Sequence, residues 1–195
     1  MSDLKLDVDQ AGELKAAFRR SDWTNEEIKK LCEGNILAEV RQVIEGNAEI
    51  KTLEHVIDCD ANPFVPNNWT IEEHQKSGMF KWDPAQVKPY LSESQSKGKA
   101  IGGHDLRKDL RGKPVMNACI RDYLLAHPEL IPDSWKGKYI FFWGTIYRDS
   151  DGDLCVRDLY LGGDRWQWGC YWLEGDWTDR SPAALRASLP AEASA

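Results

Sequence analysis

Acidic residues and histidines in the middle of the chain are of the types that bind metals or transfer protons. Asp58 and Asp60 alternate onto one side of a predicted strand end, and Glu72, His74 and His104 follow them. With a divalent metal, these five side chains would form the catalytic site of a small hydrolase or nuclease. Their spacing matches no metalloenzyme motif, because the chain has no HExxH and no histidine pair at i, i+4. Surface charges at a capped strand end are therefore favoured, with no metal and no cofactor predicted.

Aromatic residues in the last third of the chain form either part of the core or a binding surface. Six of the nine tryptophans lie there, and Trp166, Trp168 and Trp172 alternate onto one face of a single predicted strand. The opposite face carries Arg165 and Gln167 and is the more polar, so the pattern favours tryptophans that face the core. The alternative is a stacking surface for sugars, bases or a partner peptide.

Three further aromatic residues decide between these alternatives. Trp143, Tyr171 and Trp177 would extend a binding surface if they were exposed. If Trp143 and Trp177 are buried instead, the strands that carry them are a scaffold, and function lies in the loops before them.

Residues 97–113 form a basic segment in a chain whose net charge is −7. Its cations, set against Asp105 and Asp109, are Lys97, Lys99, Arg107, Lys108, Arg111 and Lys113. Gly102 and Gly103 precede a predicted helix start, where free backbone amides favour an anion. Because neither a GxxxxGKS/T nor a GxGxxG motif is present, a solvated loop is favoured over contact with a nucleic-acid phosphate.

Helices are predicted to dominate the first quarter of the chain. Thr24 and Glu27 form a capping box that begins a helix, and Asn35 is expected to cap the next one. The predicted helices span residues 11–20, 24–34 and 36–45, after a disordered stretch at residues 1–10. Arg41 is the one cation of the third helix, so this helix pair is expected to pack or bind a partner rather than read DNA.

Short strands and helices alternate in the predicted middle of the chain. Strands are expected at residues 50–59, 69–74 and 79–82, the last two forming a hairpin. Helices are expected at residues 83–94, 105–110 and 114–126. Asp83 and Pro84 are of the types preferred at a helix start, while Pro89 is expected to kink or shorten the first of these helices.

Three strands joined by tight turns form an antiparallel meander in the predicted C-terminal part. They span residues 139–148, 154–161 and 165–173, with turns at residues 150–153 and 162–164. Residues 181–195 are rich in alanine and serine and are predicted to be a flexible tail. The predicted fold class is α+β, with an N-terminal helical hairpin and a central mixed segment packed on the tryptophan-rich meander.

Length and composition are those of a folded protein without a membrane span. The 195 residues suffice for one α+β domain. We predict it at residues 11–180, with a helical part at 11–48, a mixed part at 50–135 and the meander at 138–177. The five cysteines are dispersed and never form a CxxC pair, so reduced thiols in a cytoplasm are expected. No run of about 18 apolar residues and no signal-peptide pattern is present, so no membrane association is expected.

Several long segments carry a resemblance to other proteins. They are DCDANPFVP, EEHQKSGMFKWDP, GHDLRKDLRGKPVMNA, DYLLAHPELIPDSWKGK and FFWGTIYRDSDGDL. Through them, residues 24–184 resemble a family of short bacterial hypothetical proteins with no known activity. The resemblance implies a bacterial, non-secreted protein and brings no cofactor or catalytic residue with it. Several members of that family carry other residues where Cys119, Cys155 and Cys170 stand, which implies that these thiols are not a shared ligand set.

The combined features favour a non-catalytic cytoplasmic binding protein that presents aromatic and acidic surface to a protein partner. The candidate binding residues are Trp143, Trp166, Trp168, Tyr171, Trp172 and Trp177. The alternatives are a metal-dependent hydrolase or nuclease and a nucleic-acid-binding protein that uses residues 97–113. A net charge of −7 argues against general coating of nucleic acid or membranes, since phosphate binding depends on clustered cations.

Overall fold

A computed structural model of the protein describes residues 5–51, 53–96 and 98–187. The chain divides into two compact units, residues 1–53 and residues 54–195. This division falls close to the boundary predicted between the helical and mixed parts. Helices come first and antiparallel strands last, so the predicted α+β class is confirmed.

The N-terminal unit, residues 1–53, is helical. Its helices are α1 (Val8–Arg20), α2 (Asn25–Leu31) and α3 (Ile36–Ile44). The predicted capping box is confirmed, because Thr24 Oγ1 accepts from Glu27 N–H at 3.3 Å and Glu27 Oε2 accepts from Thr24 N–H at 2.7 Å. Asn35 occupies the predicted N-cap position of α3, but its side chain makes no capping hydrogen bond. A second capping box, between Asp7 and Gln10, begins α1 inside the stretch that was predicted to be disordered.

The C-terminal unit, residues 54–195, contains the sheets. Its strands are β1 (Val56–Asp58), β2 (Thr70–His74), β3 (Met79–Lys81), β4 (Val87–Tyr90), β5 (Ile101–Gly102), β6 (Ile140–Arg148), β7 (Leu154–Gly162), β8 (Arg165–Trp172), β9 (Asp176–Trp177) and β10 (Ala183–Arg186). Its helices are α4 (Gly103–Asp109) and α5 (Ala118–Ala126). The largest sheet has the order β4–β10–β6–β7–β8, with β2 also paired to β6. The three strands of the predicted meander are β6, β7 and β8, and they pair in antiparallel order.

The predicted hairpin between residues 69–74 and 79–82 is wrong. Both strands form, but β2 pairs with β6 and β3 pairs with β1. Each strand is short and finds its partner at a distance in sequence, which a local turn pattern does not reveal. The predicted strand at residues 50–59 is also shorter than expected, since β1 begins at Val56.

The predicted helix at residues 83–94 is wrong beyond its first turn. Asp83 does cap a turn at Pro84–Gln86, with its carboxylate accepting from Ala85 N–H at 2.9 Å. The chain then becomes the strand β4, because Pro89 cannot supply the amide that a continuing helix needs.

The predicted flexible tail is also wrong over its described part. Ala183 and Ala184 are buried in β10, which lies between β4 and β6. Small side chains fit this central position. Because alanine has a low preference for strands, the sequence here does not predict a strand. Residues 188–195 lie outside the described residues.

Both faces of the large sheet are covered, which explains why nearly every residue of β6 is buried. One face packs against α5 and the segment around β1 and β3, with Trp135, Phe142 and Leu159 in its core. The other face packs against α4 and β9 around Trp143 and Trp177. Helix α5 begins after an Asn117 cap, four residues later than the predicted start at residue 114.

Candidate functional site

The tryptophan strand β8 presents two of its indoles to solvent. Trp168 is 40% exposed and Trp172 is 43% exposed, whereas Trp166 is half-buried. The predicted core orientation is therefore wrong for Trp168 and Trp172. Trp143 and Trp177 are almost completely buried, which is the case for which the sequence predicts that these strands are a scaffold. Exposure of Trp168 and Trp172 nevertheless leaves an aromatic surface on the meander itself.

The polarity pattern of β8 is misleading because its other face is also occupied. Leu173 is buried beside Trp177, and the Tyr171 ring lies 5.1 Å from the Trp177 ring. The polar Gln167 is held locally, with its amide donating to the Gly162 carbonyl at 3.0 Å. A face that looks polar in the sequence thus contributes to the core, and the tryptophan face is left partly open.

Strand β8 is an edge of the sheet, since β7 is its one neighbour among the described strands. Leu173 lies opposite Leu154, and its N–H donates to the Leu154 carbonyl at 2.9 Å. This pair is therefore a hydrogen-bonded pair of the antiparallel ladder, and so is every second pair before it along β8. Alternate residues therefore turn their amides toward β7, and those between them turn theirs away from the sheet. The outward-facing residues are Trp166, Trp168, Cys170 and Trp172.

We call the outward backbone groups of Trp166, Trp168 and Cys170 the β8 edge. No described residue forms a hydrogen bond with them. The carbonyl of Trp172, one position further on, accepts from Gly175 N–H and from Trp177 Nε1. The unpaired stretch of β8 therefore ends where the chain turns toward β9.

The edge formed by β4 is chemically different. Pro89 lies opposite Ala184, whose carbonyl accepts from Met116 N–H on the side away from β4. Pro89 therefore occupies an outward-facing position and offers no donor there. Proline is a common means of blocking an exposed edge strand, and β8 has no such residue.

A buried arginine lies beneath the exposed aromatic residues. The Arg157 guanidinium carbon is 3.9 Å from the Trp168 ring centroid and 5.0 Å from that of Phe64. Arg157 Nη1 donates to the Phe64 carbonyl at 3.0 Å, and Tyr147 Oη donates to the same oxygen at 3.2 Å. Phe64 itself is 55% exposed and extends the surface of Trp168.

A second buried arginine, Arg121, lies 5.9 Å from the same Trp168 ring. Its ion-pair partner is the adjacent carboxylate of Asp122. No described residue accepts a hydrogen bond from Nε or Nη1 of Arg121, or from Nε or Nη2 of Arg157. Burial lowers the pKa of Arg121 to about 10 and lowers the pKa of Arg157, but both stay charged near neutrality.

These residues form what we call the arginine–aromatic cluster: Phe64, Arg121, Tyr147, Arg157 and Trp168. The sequence prediction included Trp168 alone among them. A signal for Arg157 was present in the sequence, because a charged pair, Arg157 and Asp158, interrupts a strand that is otherwise apolar. Phe64 and Arg121 carry no comparable signal, since a loop phenylalanine and a helical arginine are ordinary.

The five candidate metal or acid–base residues do not form one site, although Asp58 and Asp60 are in contact and His74 reaches the Cys59 carbonyl between them. Asp58 accepts from Asp60 N–H at 2.9 Å, and Asp60 accepts from Gly78 N–H at 2.9 Å. Glu72 pairs with Arg148 across the sheet, and His104 lies 3.2 Å from Glu174.

The ring of His74 is held inside the fold by three groups. Its Nδ1 lies 2.8 Å from Thr145 Oγ1, and its Nε2 lies 3.2 Å from the Cys59 carbonyl and 3.9 Å from Cys119 Sγ. Burial raises the pKa of the Cys119 thiol to about 12 and raises that of Cys59, so neither is an activated nucleophile. Across the described residues, no three His, Cys, Asp or Glu side chains are grouped to hold a metal ion.

Three of the five described cations of the basic segment are paired with acids. Arg107 pairs with Glu73, Lys108 with Asp105, and Lys113 contacts both Asp109 and the Tyr90 ring. Lys99 and Arg111 are exposed, and Lys97 lies outside the described residues.

The predicted anion position at Gly102 and Gly103 is closed by packing. A Cβ at Gly103 would lie 2.5 Å from Trp177 Nε1 and 2.6 Å from the Leu173 carbonyl. The glycine is therefore needed for close contact between α4 and the strand end. Gly103 N–H already donates to the Gly175 carbonyl.

Comparison of the chain with protein-family models, curated proteins and solved structures finds no match. The resemblance to short bacterial proteins therefore stays a prediction. Among the described helices, none has the length and apolar character needed to span a membrane.

Proposed function

We propose that this protein binds an extended peptide segment of a partner protein, which adds as a further strand along β8. The observation that carries the proposal is the β8 edge, a row of unpaired backbone groups flanked by exposed Trp168 and Trp172. Strand addition gains affinity from main-chain hydrogen bonds and specificity from alternate side chains.

The arginine–aromatic cluster supports a preference for acidic peptides. Arg121 and Arg157 bring two buried positive charges under Trp168, and among the described residues Asp122 is the one carboxylate that forms an ion pair with either of them. A peptide side chain on this face of the sheet would contact Trp168 and Phe64. A carboxylate there is attracted by the arginines, while flat apolar groups stack on the exposed rings.

A second copy of this chain is a less favourable occupant of the β8 edge. Antiparallel pairing of two β8 strands would bring the positive clusters of both copies onto one face, side by side. We therefore expect the free protein to be monomeric at micromolar concentration.

A bacterial cytoplasm is the proposed location. The five cysteines are free, including Cys155 and Cys170, which lie on one face of neighbouring strands. Reduced thiols are typical of that compartment. The resemblance to short bacterial proteins agrees with it.

Selection from a library of random linear peptides, with the full chain as bait, tests the proposal. The selected peptides are expected to contain acidic and aromatic residues at alternate positions. Trp168→Ala is expected to weaken their binding about ten-fold or more, since buried aromatic anchors dominate such interfaces. Trp23→Ala is the matched control, because Trp23 is 41% exposed but lies in the N-terminal unit.

The outcomes are distinct. Peptides that bind wild-type and Trp23→Ala chains alike but bind Trp168→Ala weakly support the proposal. A library that yields no binder overturns it, as do binders that are indifferent to Trp168. Dimerisation through β8, detected by sedimentation and abolished by Trp168→Ala, would replace the peptide with a second copy of the chain.

A further inference from the structure

A cleft lies on the face of the sheet opposite the arginine–aromatic cluster. Its volume is about 480 Å³, which is in the range of small-molecule sites. Aromatic side chains line much of it, and these are Tyr139, Phe141, Tyr160 and Tyr171. The rings of Tyr139 and Tyr160 lie 5.1 Å apart and belong to neighbouring strand ends.

Asp158 of β7 also lines this cleft, although it is only 4% exposed. Its Oδ1 accepts from Gly169 N–H at 2.6 Å. A Cβ at position 169 would lie 2.7 Å from that oxygen, so the glycine makes room for the carboxylate against β8. The carboxylate therefore has a built position and is not a side chain that has folded back by chance.

The Asp158 carboxylate has no ion-pair partner. No described lysine, arginine or histidine lies within 4.0 Å of it, although Arg180 lines the cleft and is exposed. Burial raises the pKa of Asp158 to about 6, and the backbone hydrogen bond from Gly169 N–H, followed by the charges of Arg121 and Arg157, offsets this only in part. At neutral pH the cleft therefore contains a buried negative charge without a direct counter-ion.

We propose that this cleft binds an organic cation with a quaternary ammonium head group. Such a head group supplies the missing positive charge opposite Asp158, and aromatic walls stabilise it through their ring electrons. The cleft lies on the opposite face of the sheet from Trp168, although Cys170 of the β8 edge also belongs to its lining.

The chemistry of the lining favours this class over other cations. A buried primary ammonium needs three hydrogen-bond acceptors and a guanidinium needs more, whereas a quaternary ammonium needs none. A divalent metal needs several oxygen ligands. The cleft offers four aromatic rings and the carboxylates of Asp158 and Asp176, and its rim also carries Thr178, Arg180 and Ser181. The aromatic rings, which a quaternary ammonium uses and a strongly hydrated cation does not, are therefore what favour this class.

Calorimetric titration of the full chain at pH 7.5 with choline tests this inference. Its uncharged isostere, 3,3-dimethylbutanol, has the same shape and reports on the charge alone. We expect saturable choline binding at least about ten-fold tighter than binding of the isostere, in line with a desolvated cation–aromatic site next to a carboxylate.

Asp158→Asn separates recognition from folding. An asparagine has nearly the same shape, and its side-chain oxygen accepts from Gly169 N–H as the carboxylate does. We expect the variant to fold and to lose the preference for choline over the isostere. Asp164→Asn is the matched control, since Asp164 is an exposed acid in the β7–β8 turn.

Three results would overturn the inference: no saturable choline binding, equal binding of choline and its isostere, or choline binding that survives Asp158→Asn. Because Trp168→Ala leaves the cleft intact, choline binding should persist in that variant. The failure of the peptide proposal and the failure of the cation proposal are therefore distinguishable.

Discussion

At the scale of single residues, Asp158 is a buried carboxylate whose negative charge destabilises the fold. It is buried, no residue that the structure describes forms an ion pair with it, and its pKa is raised from 3.8 to about 6. A carboxyl whose pKa is higher in the folded than in the unfolded state binds its proton more tightly when folded. Its ionisation therefore lowers stability progressively as pH rises from about 4 to about 6, and the loss persists above that range.

The first prediction concerns this residue. Asp158→Asn is expected to raise the free energy of unfolding at pH 7.5 by up to about 3 kcal/mol, at 1.36 kcal/mol per pKa unit. Near pH 4 the side chains of Asp158 and of the substituted asparagine are both neutral in the folded state. The difference in the free energy of unfolding between the two proteins should therefore shrink toward zero. Urea unfolding at the two pH values measures it, and a pH-independent gain would contradict the assigned cause.

Arg157 carries the second prediction. Two of its nitrogens are buried without a described partner. Arg157→Met removes this desolvation cost and fills similar volume, so stability is expected to change by less than about 1.5 kcal/mol or to increase. Arg157→Ala leaves a cavity and is expected to cost about 2 to 4 kcal/mol. Equal losses of stability in the two variants would show that the charge itself stabilises the fold.

The same variant also bears on peptide binding. Selected acidic peptides should bind Arg157→Met more weakly than wild type.

At the scale of elements, the open edge of β8 gives the third prediction. Cys170→Pro removes an outward-facing amide and is expected to fold, because proline is tolerated at such edge positions. Gln167→Pro removes an amide that faces β7 and should unfold the sheet or lower its melting temperature markedly. Gln167→Ala is the control for the lost side chain. Similar melting temperatures for the two proline variants would mean that the register assigned to β8 is wrong.

Local signals in the sequence locate several elements but not their partners. The capping box at Thr24, the turn after Arg148 and the three meander strands follow from nearby residue types. In that turn, Asp149 accepts from Asp151 N–H and Asp153 N–H at 3.0 Å, as expected of a hairpin. Pairing of β2 with β6 joins residues far apart in the chain, and no short-range pattern encodes it.

The candidate site shows the same limit. Alternation correctly groups Trp166, Trp168 and Trp172 on one face of a strand. Alternation cannot say which face is covered, because that depends on where α5, Phe64 and Trp177 pack. Knowing that β8 is an edge requires the strand order of the whole sheet, which sequence reasoning does not reach.

At the scale of the whole molecule, strand β10 near the described end of the chain joins β4 to the rest of the large sheet. β10 pairs with β4 on one side and with β6 on the other, so its loss would separate β4 from the meander. The fourth prediction is that truncation before Ala183 abolishes the cooperative thermal transition of the C-terminal unit. Near-ultraviolet circular dichroism of its buried tryptophans reports this. A truncated chain that keeps the transition would show that β10 is dispensable.

Both proposed binding sites lie in the C-terminal unit, on different faces of its large sheet. The helices of residues 1–53 have no buried residue of their own, whereas residues 54–187 enclose the core and both proposed sites. The peptide proposal rests on the edge and one face of β8, and the cation proposal rests on the opposite face. Variants at Trp168 and Asp158 should therefore have independent effects on binding.

Amide hydrogen exchange at β8, measured by NMR with and without a selected peptide, tests the central claim most directly. In the free protein the amides of Trp168 and Cys170 should exchange quickly, while those of Gly169 and Tyr171, which face β7, should exchange slowly. Peptide addition should slow exchange at Trp168 and Cys170 and leave Gly169 and Tyr171 unchanged. If the peptide binds while Trp168 and Cys170 still exchange quickly, strand addition along β8 is wrong.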